Sequence, residues 1–233
     1  MTFFGLEKLS LVDFDGYVAA TVFTGNCNFR CPFCHNSSLV LDYKNLPTIS
    51  EQEIIDYLIK RKGIIEGLCI TGGEPTLEKD LPFFCEKIKN LGLKVKLDTN
   101  GTNPEMIKIL VNNGVVDYFA MDIKNDKENY ADIIGLNQFP TNNVEKSVDF
   151  FLSGVTAYEF RTTLIKEYHT LSNVEKIGQW IKGANKYFLQ KFKDSENCIK
   201  SHLSPVENDL ALQFKDVLTK YVNFVSLRGY DIN

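Results

Sequence analysis

Three cysteines close together are the residues of this chain best suited to chemistry. Cys27, Cys31 and Cys34 lie in the segment GNCNFRCPFCHN and have the spacing C-x-x-x-C-x-x-C. Thiolates are the usual ligands of iron-sulfur clusters, and a cubane cluster ordinarily takes four of them. Three local ligands would leave one iron with an open coordination position, which a cluster needs if it is to bind a substrate.

A structural zinc site is the alternative for the same cysteines. Zinc accepts three cysteines and one histidine, and His35 directly follows Cys34. Two adjacent residues can ligate one tetrahedral ion only with strain, and no second pair of zinc ligands is visible in the sequence. The spacing alone therefore favours an iron-sulfur cluster but leaves both metals open.

A glycine pair and a carboxylate follow the second predicted strand. The segment ITGGEPTL contains Gly72, Gly73 and Glu74. Glycines let the backbone approach a ligand closely, and a carboxylate can pair with an ammonium group. A tight turn between a strand and a helix is the alternative for an isolated glycine pair.

Polar residues also follow the next strands. LDTNG contains Asp98 and Asn100, and AMDIKN contains Asp122 and Lys124. Oxygen-rich groups at adjacent strand ends can coordinate a hard cation or hold the polar groups of a ligand. Alternatively, the two aspartates cap helices and Lys124 is a solvated surface residue.

Arg161, in YEFRTTL, can bind a carboxylate, although a salt bridge at a strand end explains it equally well.

Strand and helix patterns alternate along most of the chain. A capping box of Ser50 and Glu53 begins the first predicted helix, and Gly63 ends it. The predicted strands are 17–24, 67–71, 93–98, 116–122, 156–163 and 186–192. The later predicted helices are 80–91, 104–113, 142–153, 172–183 and about 207–222, before the apolar segment NFVSL. This order predicts a parallel sheet with helical crossovers, either a barrel or a doubly wound sheet, with chemistry after the strands.

The cysteine spacing, with Phe33 before the last cysteine, resembles the signature of the radical S-adenosylmethionine superfamily. The resemblance implies that Cys27, Cys31 and Cys34 hold a 4Fe-4S cluster whose fourth iron binds the methionyl group of S-adenosylmethionine. Phe33 would pack beside the adenine. Reduction would then release methionine and a 5'-deoxyadenosyl radical that abstracts hydrogen from a substrate. GGEP resembles the family motif that contacts the methionyl amine, which assigns Gly72, Gly73 and Glu74 to the cofactor.

The segments LDTNG and MDIK look like those of glycyl-radical-enzyme activases. In those enzymes two aspartates and neighbouring backbone oxygens contact a monovalent cation and the cofactor. By this resemblance Asp98 and Asp122 are expected to contact a monovalent cation and the cofactor. Asn100, Lys124 and Arg161 are assigned to cofactor binding beside them.

The opening of the chain resembles the anaerobic ribonucleotide reductase activating proteins from GLEKLS to CHN, and it is similar to pyruvate formate-lyase activating enzymes. This implies a partial (β/α)6 TIM-like barrel that generates a glycyl radical on a partner enzyme, with flavodoxin or ferredoxin as electron donor. Cys69, Cys85 and Cys198 show no ferredoxin-like spacing, so one cluster is expected. The alternatives are a radical enzyme acting on a small molecule or peptide, a structural metal-binding protein and an electron carrier.

Composition limits the remaining possibilities. The chain has 233 residues, 44% hydrophobic and 24% charged, which suits one domain over 1–233. We expect an N-terminal extension or hairpin at 1–16, a β/α core at 17–192, and a loop, helix and apolar segment at 193–233. A net charge of -4 argues against a nucleic-acid partner. No secretion signal or membrane span is visible, so we expect a cytoplasmic protein without a membrane partner.

Overall fold

The structure is a computed structural model in which residues 1–231 are described. The chain divides into two compact units, which we call unit 1 and unit 2. Unit 1 comprises Met1–Asn28, Ser38–Ala120 and Val155–Ala157, and unit 2 comprises Phe29–Ser37, Met121–Gly154 and Tyr158–Asn233. The single-domain organisation stays a prediction, and the last two residues of the predicted segment 193–233 lie outside the described residues.

The first part of the chain alternates between strands and helices as predicted. Its strands are β1 Thr2–Phe3, β2 Gly5–Ser10, β3 Ala19–Thr24, β4 Ile49–Ser50, β5 Gly67–Gly72, β6 Lys94–Thr99 and β7 Tyr118–Asp122. Its helices are α1 Ser37–Leu41, α2 Glu51–Lys60, α3 Leu81–Asn90 and α4 Pro104–Asn112. The boundary between the units falls within α1 and again within β7.

Unit 1 has a mainly parallel sheet. Its order is β6-β5-β3-β2, and β2 is the antiparallel member. Gly67 lies opposite both Ala19 on β3 and Lys94 on β6, so the three parallel strands end at one edge. β1 pairs with β4 in a separate antiparallel ribbon.

The second part of the chain continues the alternation. Its helices are α5 Tyr130–Ile133, α6 Asn142–Leu152, α7 Leu171–Trp180 and α8 Asn208–Leu218. Its remaining strands are β8 Tyr158–Leu164, β9 Lys186–Lys191 and β10 Phe224–Arg228. β9 lies between β8 and β10 and is parallel to both, with Phe160 opposite Tyr187 and Phe224 opposite Lys186.

Helix α3 shows how apolar spacing places the core of unit 1. Leu81, Phe84, Cys85 and Ile88 are fully buried at helical spacing, whereas Phe83 points to solvent. The predicted capping box is present at the start of α2, where Ser50 and Glu53 exchange hydrogen bonds. Among residues 1–231, no helix is both long and apolar enough to cross a membrane.

The C-terminal segment differs from the prediction. The helix expected to reach about residue 222 ends at Leu218, and the apolar segment after it forms β10. The chain leaves the helix because its backbone pairs elsewhere: the Gly183 amide donates to the Tyr221 carbonyl at 2.9 Å, and the Asn223 amide donates to the Ala184 carbonyl at 3.0 Å. The short helices α1 and α5 were also not predicted.

Two adjacent phenylalanines test the packing of α3. Phe84 is fully buried and its ring centroid lies 4.8 Å from that of Phe3, whereas Phe83 is 65% exposed. We expect Phe84→Ala to lower the free energy of unfolding by about 3–5 kcal/mol, because it removes buried contacts and leaves a cavity. Phe83→Ala, the matched control, should change it by about 0.5 kcal/mol or less. Urea unfolding of both variants checks this; equal effects would contradict the packing described.

Candidate active site

Glu74 connects the ends of β5 and β6 in unit 1. The side chain is 1% exposed. Its Oε1 accepts hydrogen bonds from the Thr76 hydroxyl at 2.5 Å, the Thr76 amide at 3.1 Å and the Thr99 hydroxyl at 2.7 Å. Its Oε2 accepts from the Asn100 amide at 2.6 Å. Burial raises the pKa of Glu74 above its usual value, and the donors at Thr76, Asn100 and Thr99 partly offset that rise.

Asn100 extends this network to the first cysteine. Its Nδ2 donates to Asn28 Oδ1 at 2.8 Å and to Cys27 Sγ at 3.9 Å, and its Oδ1 accepts from the Thr102 hydroxyl at 2.7 Å. Hydrogen bonds to cysteine sulfur are one of the means by which a protein adjusts an iron-sulfur centre. Unit 1 thus brings together three predicted site residues, Cys27, Glu74 and Asn100.

The glycine pair allows a close approach of the chain to itself. Gly72 has a φ of 118°, and a Cβ there would lie 2.4 Å from the backbone of Thr24. A Cβ on Gly73 would lie 1.8 Å from the Asn26 carbonyl oxygen. The Glu74 amide donates to that same carbonyl at 2.8 Å. The glycines therefore hold the segment just before Cys27 against the end of β5, and their contact with a cofactor stays a prediction.

Asp98 forms an ion pair with Lys96, which was not among the predicted site residues. The Lys96 Nζ lies 3.1 Å from Asp98 Oδ1 and donates to the Asp13 carbonyl at 2.6 Å. Residues two apart on a strand point to the same face, so LKVKLD contained the signal that could have found this pair. The alternative in which Asp98 caps a helix does not match this geometry.

In unit 2, the other two cysteines lie in one tight turn. The Cys34 amide donates to the Cys31 carbonyl at 3.0 Å. Two further backbone bonds hold this segment, one just before the turn from the Arg30 amide to the Ile134 carbonyl and one within it from the Lys200 amide to the Pro32 carbonyl, both at 2.8 Å. The turn is therefore fixed by chain segments remote in sequence.

The loop 193–206 packs against this turn. The Cys198 thiol lies 3.9 Å from the Phe33 carbonyl oxygen, and His35 Nε2 hydrogen-bonds the Lys193 carbonyl. Burial raises the pKa of the Cys34 thiol, while the Asn36 backbone and the positive charge of Lys124 partly offset the rise.

Asp122, Lys124 and Arg161 form a single charged group in unit 2. Lys124 Nζ lies 3.0 Å from Asp122 Oδ2, and Arg161 Nε donates to Asp122 Oδ1 at 2.9 Å. Burial alone would raise the pKa of Asp122, but the charges of Arg161 and Lys124 lower it to about 2. Burial opposes the charged form of Lys124, yet Asp122 and Cys31 raise its pKa above the usual value. The alternative in which Lys124 is a solvated surface residue therefore does not hold. Arg161 does form a salt bridge at a strand end, which was the alternative to its binding a cofactor carboxylate.

Phe33 and His169 position Lys124. Phe33 is buried, and the Lys124 ammonium lies 5.7 Å from its ring centroid. His169, which the sequence analysis missed, lies with Nε2 3.0 Å from the Lys124 carbonyl, while its Nδ1 accepts from the Ile165 amide at 3.0 Å. Burial lowers the pKa of His169, so the neutral ring is favoured. A lone histidine in YHT carries no sequence signal for this role.

The chemistry of the thiols fits an iron-sulfur cluster. All three predicted ligands lie outside any disulfide, with Cys31 buried and Cys27 and Cys34 partly exposed. Lys124 supplies positive charge that favours thiolates at Cys31 and Cys34. Within the described part of the chain, no three histidine, cysteine, aspartate or glutamate side chains are gathered into a group that could hold a metal ion. The ligand assignment stays a prediction.

The Asp122 ion pairs predict a pH dependence of stability. The folded-state pKa is lowered from 3.8 to about 2, so the stabilisation is fully present above pH 3.8 and is lost as the pH falls through about 2. The stability advantage of wild type over Asp122→Asn should shrink by about 2 kcal/mol across this window. Urea unfolding from about pH 2 to about pH 6 measures it. Asp149→Asn, on the exposed face of α6, controls for loss of one charge; a constant advantage across the window would contradict the ion pairing.

Comparisons with solved structures show the fold. SuiB of Streptococcus suis matches with a TM-score of 0.70 and 14% identity over 90% of this chain and 48% of its own, so this chain spans about half the length of SuiB. QueE of Escherichia coli matches with a TM-score of 0.59 and 13% identity over 98% of this chain and 94% of its own. The predicted α/β fold class is confirmed.

Comparisons with curated sequences give relatives that carry different names. A Methanocaldococcus jannaschii protein, provisionally named a glycyl-radical enzyme activating enzyme, is 32% identical over 96% of this chain and 94% of its own. A Thermococcus kodakarensis protein named a probable GTP 3',8-cyclase is 34% identical, but only over 40% of this chain and 30% of its own. A family model, the Radical SAM superfamily, matches residues 21–156, more than half of the chain. This chain therefore belongs to the radical S-adenosylmethionine superfamily, whose members use a 4Fe-4S cluster and S-adenosylmethionine.

Proposed function

We propose that this chain is an activase that generates a glycyl radical on a partner enzyme, and that the partner is an anaerobic ribonucleotide reductase. One observation carries the first part: the relative named as a glycyl-radical enzyme activating enzyme matches along 96% of this chain. The cyclase relative matches along only 40% of this chain and 30% of its own length, so more than half of this chain lies outside that match. The resemblance of the segment from GLEKLS to CHN supports the reductase as partner.

When bound, the cluster and S-adenosylmethionine supply a one-electron reductive cleavage that gives methionine and a hydrogen-abstracting 5'-deoxyadenosyl radical. Cys27, Cys31 and Cys34 would hold the cluster through their sulfurs. Lys124 favours the thiolate forms of the two cysteines in unit 2, and the Asn100 amide supplies a hydrogen bond to Cys27. The Cα hydrogen of a partner glycine is the proposed target.

The polar residues at the strand ends orient the cofactor in this proposal. Glu74 holds the Asn100 backbone in place, so its part is to position that loop. Arg161 and Lys124 offer positive charge for the methionyl carboxylate while remaining paired with Asp122. Phe33 offers an aromatic face for the adenine. A flavodoxin or ferredoxin supplies the electron, and six cysteines outside any disulfide suit a reducing cytoplasm.

The radical chemistry is tested without a partner. We expect anaerobically reconstituted, dithionite-reduced protein to release 5'-deoxyadenosine from S-adenosylmethionine. Cys31→Ala should reduce the release to background, because a cluster ligand is lost. Cys85→Ala is the matched control, since Cys85 is buried among apolar residues of α3 and should retain most of the release. Chromatographic quantification of 5'-deoxyadenosine gives the answer; equal release from Cys31→Ala and wild type would sink the ligand assignment.

The partner is tested by electron paramagnetic resonance. Reduced protein, S-adenosylmethionine and an anaerobic ribonucleotide reductase should together give a carbon-centred doublet. A reductase whose radical-bearing glycine is replaced by alanine is the control and should give none. A doublet obtained with a pyruvate formate-lyase but not with the reductase would overturn the choice of partner and keep the activase. If small metabolites were turned over and no partner gave a doublet, the activase proposal itself would fail.

A further inference from the structure

The carboxylate of Asp98 already has a protein cation beside it. Lys96 lies two residues earlier on β6, so both side chains point to the same face of the strand. Its ammonium lies 3.1 Å from Asp98 Oδ1, and the two side chains are only 7% and 16% exposed. The same ammonium donates to the Asp13 carbonyl at 2.6 Å. A carboxylate oxygen and a backbone carbonyl oxygen thus share one buried positive charge.

Asp122 is neutralised in the same way in unit 2. Lys124 lies two residues after it, and its ammonium is 3.0 Å from Oδ2. Arg161 contacts the other oxygen at 2.9 Å. Each carboxylate that the sequence assigned to a monovalent cation is therefore paired with the chain's own cation. In both cases the lysine is two residues from the aspartate: Lys96 lies on the same strand as Asp98, and Lys124 follows the end of β7.

An ammonium group and a monovalent metal ion compete for the same place in such a site. Both carry one positive charge and both are bound by carboxylate and carbonyl oxygens. A second cation brought next to Asp98 would meet the repulsion of the Lys96 charge at short range in a poorly solvated site, where charges interact strongly. Removing the Lys96 charge would leave Asp98 as a buried carboxylate without that neighbour, which favours uptake of an external cation.

We propose that Lys96 takes the part of a bound monovalent cation at Asp98, so that cofactor binding by this chain needs no such ion. The inference rests on the proposed function, because it concerns how the chain binds S-adenosylmethionine. It makes Lys96 a positioning residue: the ammonium lies 3.1 Å from the Asp98 carboxylate and offsets its negative charge. Cation independence is then a property of the sequence of β6, set by the residue two positions before Asp98.

The test compares cofactor affinity in different salts. The dissociation constant of S-adenosylmethionine is measured by equilibrium dialysis on anaerobically reconstituted protein in potassium, sodium or tetramethylammonium chloride at equal ionic strength. Tetramethylammonium keeps the screening equal but is too large for an oxygen-lined ion site. Wild type should bind equally well, within about twofold, in all three salts. A loss of about tenfold or more in tetramethylammonium chloride would overturn the proposal.

Two lysine variants on β6 sharpen the result. Lys96→Met keeps the length of the side chain and removes the charge, and it should bind about tenfold more weakly in tetramethylammonium chloride and recover in potassium or sodium chloride. Lys94→Met is the matched control: Lys94 is the exposed first residue of β6, it pairs with Asp117 just before β7, and its variant should behave like wild type. A folded Lys96→Met protein with equal affinity in all salts would overturn the proposal. If this variant did not fold, the wild-type comparison alone would decide.

The outcomes separate this inference from the proposed function. Wild-type binding that requires potassium or sodium overturns the role of Lys96 and leaves the radical chemistry intact. Absence of binding in every salt, with the cluster fully loaded, would instead remove the proposed function and this inference with it.

Discussion

The buried carboxylate of Glu74 is the constraint around which the chemistry-bearing end of unit 1 is built. A carboxylate this deeply buried is tolerated only when donors replace the water it has lost. Its four donors come from the loop after β5, from the last residue of β6 and from the residue that follows it, so neither segment can move without leaving the carboxylate unsatisfied. Asn100, whose backbone amide Glu74 holds, also donates a hydrogen bond from its side-chain amide to the Cys27 sulfur. Gly73 completes it, because any side chain there would displace Asn26.

Unit 2 also contains a partly buried carboxylate, and there cationic side chains take the place of the hydroxyls and amides that satisfy Glu74. Asp122 is satisfied by Lys124 and Arg161, and the strength of these pairs shows in its lowered pKa. Long cationic side chains are more flexible than backbone amides, so their own positions have to be fixed. His169 does this for Lys124 at the backbone: because its Nδ1 accepts from the Ile165 amide, the proton of the neutral ring lies on Nε2 and is donated to the Lys124 carbonyl.

Local patterns in the sequence predicted the regular elements well, and they failed where distant partners decide. The six predicted strands and the capping box of Ser50 and Glu53 are signalled by residues within each segment. β10 was missed because NFVSL becomes a strand only by pairing with β9. The sequence located the candidate residues at or just after the strand ends, but it did not show which side chains they contact. Arg161 meets Asp122 across 39 residues, a pairing that no local pattern shows. Lys96 was within reach, since spacing by two on a strand places it beside Asp98.

The fold of this chain is shared with proteins of very different sequence, and it does not determine the substrate. SuiB and QueE keep this fold at 13–14% identity, so the alternation of strands and helices survives replacement of most side chains. A fold that tolerates so much change cannot by itself select a substrate. Selection of a substrate must therefore lie in the side chains around the site and in exposed residues that a partner would meet. A sequence match along nearly the whole chain includes both the residues around the site and the exposed residues. A match over 40% of the chain includes fewer of either kind. For this reason the relative that matches along 96% of the chain gives the proposed activity more support than the cyclase gives its alternative.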